Sequence, residues 1–240
     1  QGGNSPVGKR SAFAYTTALN HLLSKDSTQK MLVGDATTVF WASKETNIEQ
    51  EWPFFFREPP KDDPDRGTRA VQSLFNSVKN GAFSKEEETN KFYVLGLAPN
   101  ASRISIRFWI VNTVAGMAGK IALHFEDIKI AHGTKESDFL SLWKLLVSTA
   151  SLTESKNILP NLAGDTMRSI LEGLPYPETL LQALVRRNRA EQNVSYPRAA
   201  FIKACINRKI RFYNQNIKEE LKMSLDPTNT NIGYRLGRLF

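Results

Sequence analysis

The chain has 240 residues, 41% of them hydrophobic, one cysteine and a net charge of +8. That apolar content supports one large or two small folded units and excludes a disordered chain. The lone Cys205 excludes a disulfide framework or a multi-cysteine zinc site, and no apolar run approaches the roughly 18 residues that cross a membrane.

Ala12 to Leu23 is apolar and Ala-rich and predicts a helix, with His21 as a packing residue. Met31 to Trp41 predicts a strand or two, with Gly34-Asp35 as a turn, and Trp52 to Phe56 predicts a further buried aromatic strand. Arg57 to Gly67 is a loop rich in Pro and Asp. It leads into a helix with Val71, Leu74, Phe75 and Val78 on one face and Gly81 as its stop. Val114, Met117, Ile121, Phe125 and Ile128 recur at helical spacing behind Thr113 as N-cap, although Gly116 and Gly119 weaken that helix. From about Ser137 the pattern is helical: Phe139 to Val147 with Asp138 as cap, Leu162 to Leu174, one helix opened by Pro177 and another by Pro197. The expected class is α+β. Residues 1–134 are expected to form a small sheet layer with helices, and residues 135–240 a helical, basic region.

Between these halves lies FYVLGLAPNASRISIRFW, Phe92 to Trp109. Two β-prone runs flank the polar link Pro99-Asn100-Ala101-Ser102, which predicts a hairpin. Strand side chains alternate between faces, so Arg103, Ser105 and Arg107 are expected opposite Ile104, Ile106 and Phe108. Two guanidiniums beside Asn100 suit a phosphate, because the planar fork of Arg can hold two oxygens. An edge strand with a solvated face shows the same alternation, and internal ion pairs with Glu126 or Asp127 are a further account.

The charge is uneven. Residues 1–134 carry 16 Lys+Arg and 14 Asp+Glu, whereas residues 135–240 carry 16 and 10. Tyr176 to Asn216 holds eight basic residues against Glu178 and Glu191. Such clustering is a footprint for a polyanion, nucleic acid before membrane, although a solvated basic helix face has the same composition. In the last of these helices Phe201, Ile202, Cys205, Ile206 and Ile210 are expected inward. Arg198, Lys203, Arg208, Lys209 and Arg211 are then left at the surface, and Arg186, Arg187 and Arg189 end the helix before. The candidate nucleic-acid surface is therefore Asn100, Arg103 and Arg107 with Arg186, Arg187, Arg189, Arg208, Lys209 and Arg211.

Catalytic patterns are poor. Val114 to Ile121 has GxxGK in place of GxxxxGK, and Ile121 stands where Ser or Thr would hold magnesium. His124 and His132 match no common metal pair, and Asp62, Asp63 and Asp65 do not have calcium-loop spacing. Neither a cofactor nor a metal is expected, and Cys205 reads as a small buried hydrophobe.

Four segments carry a family resemblance: SPVGKRSAFAYTTALNHLL from Ser5, VGDATTVFWA from Val33, FYVLGLAPNASRISIRFW from Phe92 and LDPTNTNIGYRLGRLF from Leu225. In that order they resemble the large subunit of the type I-C CRISPR surveillance complex (Cascade), the Csd-one or Cas-eight-c family. Family members are longer, so the chain, which opens with Gln1 and stops at Phe240, is read as an internal piece, and the resemblance implies that GYRLGRLF begins the family's C-terminal helical bundle, truncated here. The resemblance implies a non-catalytic subunit of the prokaryotic cytoplasm. Its implied partners are the backbone and small subunits, CRISPR RNA, target double-stranded DNA with its displaced strand, and a helicase-nuclease. The implied work is recognition of a protospacer-adjacent motif, opening of the duplex and cradling of the displaced strand. Two other readings stay open: a nucleic-acid-binding module unrelated to CRISPR, and a fragment of an enzyme whose active site lies elsewhere.

Overall fold

A computed structural model describes residues 7–81, 83–101, 103–213 and 220–238. Ser102 of the reversal, Asn214 to Asn216 of the basic stretch, and the Ser5-Pro6 and Leu239-Phe240 ends of the matching segments lie outside the described residues. The class is α+β, as expected. Helix α1 (Lys9–Leu23) precedes strands β1 (Lys30–Val33) and β2 (Ala36–Ala42); α2 (Asn47–Phe56), α3 (Arg66–Lys79) and α4 (Lys85–Thr89) follow. Next come β3 (Lys91–Asn100), β4 (Arg103–Thr113) and α5 (Val114–Ile128). The remainder is helical: α6 (Leu142–Val147), α7 (Leu162–Glu172), α8 (Glu178–Glu191), α9 (Tyr196–Tyr213) and α10 (Ile232–Gly237). The strands form one antiparallel sheet in the order β1-β2-β3-β4, which leaves β4 on an edge.

The expected strand at Trp52 to Phe56 is instead the second half of α2. Its buried residues, Ile48, Trp52, Phe55 and Phe56, recur at helical spacing once the preceding turn is counted. A short apolar run alone cannot separate the two structures. Trp52 then packs between Phe40 and Phe92, with ring centroids at 5.6 and 4.6 Å. Helix α6 starts later than expected, because the Ser141 hydroxyl rather than Asp138 caps it by accepting the Lys144 amide at 3.0 Å.

Helix α5 is the centre of the molecule. The Thr113 hydroxyl caps it by accepting from the Gly116 amide at 3.1 Å, as predicted. VAGMAGKI lies inside this helix and forms no phosphate loop. Met117, Ile121 and Phe125 are buried between the sheet and the later helices, and one apolar cluster draws on both sides of residue 134.

The hairpin holds one irregularity. Gly96 pairs with Phe108, whereas Leu97 pairs with Ile106, so Arg107 is an extra residue in a β-bulge. A Cβ on Gly96 would lie 2.5 Å from the Phe108 ring. Gly96→Ala should therefore destabilise the fold by about 1–3 kcal/mol, read from urea denaturation, as overpacked cores do.

His132 pins the segment before α6 onto α9. Its Nε2 lies 2.8 Å from an Asp138 oxygen, its Nδ1 lies 3.0 Å from the Gly133 carbonyl, and its ring lies 4.8 Å from that of Tyr196. Two acceptors require both ring nitrogens to donate, which is the imidazolium form. The Gly133 carbonyl and then Asp138 accordingly raise its pKa. This contribution is complete below the ordinary imidazole value of about 6.5 and fades as pH rises through the raised folded value. The stability gap between native protein and His132→Gln should be widest at about pH 5.5 and should close in mildly alkaline buffer, followed by Tm.

Candidate nucleic-acid interface

The bulge corrects the alternation expected in β4. Phe108 and Ile110 face the core, but Ile104 and Ile106 are 63% and 66% exposed on the opposite face. Before the bulge, Arg103 and Ser105 share the Phe108 side but reach past the core toward the hairpin tip, where Arg103 is exposed. Asn100 Nδ2 donates to the Ser105 hydroxyl at 3.3 Å. Arg107 is held by Asp35 of the β1–β2 turn at 2.6 Å, not by Glu126 or Asp127. Among the described residues Arg103 has no ion pair.

The basic cluster of the helical half divides in two. Arg186 and Arg189 are exposed on α8 without an ion pair among the described residues. Arg187 bridges Glu191 at 2.9 Å one turn on, and Lys209 bridges Glu178 at 2.9 Å. Three others point inward, and Arg211 is exposed. Arg198, Lys203 and Arg208, expected at the surface, are buried. Helix α9 is enclosed on most sides by α5, α6 and α8, so its polar residues must find partners inside.

Asp127, 2% exposed at the end of α5, is the hub of this interior network. Arg208 Nε donates to it at 2.9 Å, and Arg211 Nη2 donates at 3.0 Å while also meeting Glu220 at 2.6 Å. Arg208 Nη1 reaches the carbonyls of Ser169 and Leu174, which close α7, and its guanidinium lies 4.3 Å from the Tyr176 ring centroid. Lys203 Nζ donates to the Asp127 and Lys129 carbonyls at 3.0 Å each. Cations at helix C-termini answer unpaired carbonyls and the helix dipole, so much of this basic run holds helices together. His124 is fully buried with Nδ1 2.6 Å from the Tyr176 hydroxyl. Burial, and then Arg208, keep its pKa well below the ordinary value, so it is neutral. Burial pushes the Cys205 thiol up to about 12, in keeping with a packing role.

One group has no signal in the linear sequence. Trp41, Tyr93 and Trp109, from three neighbouring strands, meet on the outer face of the sheet with centroids 5.2 to 6.0 Å apart. Period two assigns each to a face, but only the strand register shows that they touch.

No described helix is long and apolar enough to cross a membrane. No curated protein matches the chain. The family model described as CRISPR-associated protein (Cas_Csd1) matches residues 1–240, and the chain therefore belongs to the CRISPR-associated Csd1 family.

Proposed function

We propose that this chain is a non-catalytic part of the large subunit of a type I-C CRISPR surveillance complex. It would hold target DNA by backbone electrostatics while the backbone and small subunits hold the CRISPR RNA. Sequence choice then rests mainly on RNA–DNA pairing, a division of labour known in other RNA-guided effectors. In this reading the chain helps bind the duplex beside the protospacer-adjacent motif, steadies the displaced strand and offers a landing surface to the helicase-nuclease, in the prokaryotic cytoplasm.

The observation that carries the reading is the family match across the whole chain together with exposed cations on Arg103, Arg186 and Arg189. Arg107, Arg187, Lys209 and Arg211 stand beside them with carboxylates already in contact. Arg208 is left out of the proposed surface, because a guanidinium 2% exposed has no face to offer a phosphate.

The test is assembly of the complex with and without this chain. Without it, target-duplex binding and helicase-nuclease recruitment should fall; unchanged binding would contradict the reading. The purified chain should show no metal-dependent DNA cleavage and no ATP hydrolysis. Cleavage abolished by a point change in this chain would make it an enzyme.

A further inference from the structure

Antiparallel sheets with one face on a core usually turn a polar face outward. This one does not. Around the Trp41–Tyr93–Trp109 cluster the outer face continues as Ile106 and Val111, 66% and 44% exposed, and Trp109 itself is 49% exposed. The Trp41 and Tyr93 rings lie nearly parallel, with an interplanar angle of 11°. The strand charges on this side have one sign. Strand pairing and alternation put Lys30 and Lys91 on the outer face and no carboxylate among the strand residues there. Helix α1, which contacts β2, is itself basic, with Lys9 and Arg10 and no Asp or Glu. Asp35 in the β1–β2 turn is paired with Arg107, and Glu86 in α4 with Lys44.

Flat aromatic surface edged by cations complements a polyanion that carries flat, unpaired apolar groups. A duplex keeps its bases stacked inside; a single strand does not. We propose that this face is a stacking platform for single-stranded DNA, with Trp109 receiving a base and Lys91 meeting a flanking phosphate. The inference rests on the nucleic-acid reading above and gives it a place where bases, not only phosphates, are held. Stacking on an aromatic face is tolerant of sequence, which a strand of arbitrary target sequence requires.

The test is fluorescence anisotropy with a labelled oligo(dT) of about 15 nucleotides, using the whole chain. Trp109→Ala should weaken binding about fivefold to a hundredfold, whereas Trp109→Phe, which keeps an aromatic face, should retain most of it. Lys91→Ala, an exposed change that leaves packing alone, should lower the log–log salt slope by about 0.7. Unchanged oligo(dT) affinity in Trp109→Ala, with Arg186→Ala and Arg189→Ala still weakening duplex binding, would overturn the platform and leave the proposed function standing. A native chain that binds neither duplex nor oligo(dT) would overturn both. Self-association that Trp109→Ala abolishes and oligo(dT) does not compete would assign the face to a second copy and overturn the inference.

Discussion

Asp127→Ala is expected to cost about 3–5 kcal/mol of stability, the usual result of removing one partner from a buried ion pair. In a chain of this size that corresponds to a fall in Tm of roughly 6–20 °C. The substitution leaves Arg208 without an acidic partner among the described residues, while Arg211 keeps Glu220 and Lys203 keeps the two backbone carbonyls it donates to. Asp127→Asn should cost less, since an amide oxygen can still accept from Arg208. Replacing the pair together, Asp127→Leu with Arg208→Met, should recover much of the stability, because well-packed apolar residues often match a buried pair. A Tm unchanged by Asp127→Ala would mean that the network does not hold α5, α7 and α9 together.

The second large effect is expected at the hairpin. Arg103→Ala with Arg107→Ala should weaken DNA binding roughly tenfold for each phosphate no longer held, since hydrogen bonds to charged groups contribute about 1.5–3 kcal/mol. Stability should barely move. The Arg107–Asp35 bridge is solvent-exposed, with Asp35 52% accessible, and such pairs contribute about 0–1 kcal/mol. Arg→Lys at both positions should rescue only part of the binding, because an ammonium cannot hold two phosphate oxygens in a plane. A large fall in Tm with normal DNA affinity would make these arginines structural instead.

The contrast between the two sites shows what can be read from the sequence. The hairpin, the turn at Gly34-Asp35, the Thr113 cap and the helix opened by Pro197 are local, and local patterns announce them. Trp52 to Phe56 is ambiguous because five apolar residues fit either a strand or a turn of helix; only Ile48 settles it. In α9 the difference has another source. Periodicity assigns Arg and Lys outward by default, and nothing local shows that Asp127 and the ends of α5 and α7 converge on that helix from distant parts of the chain. The bulge at Arg107 is hidden for the same reason. It exists only as a mismatch between two strands, and it turns Ile104 and Ile106 outward while Phe108 stays in the core.

Cations that hold the fold are thus distinct from cations proposed to hold DNA, and the salt dependence of DNA affinity tests this most directly. Below the thermal transition, log Kd against log salt should be steeper for the native chain than for the Arg103→Ala, Arg186→Ala, Arg189→Ala variant by about 2 to 3, on DNA of unrelated sequences. Equal slopes for the native chain and this variant would contradict it.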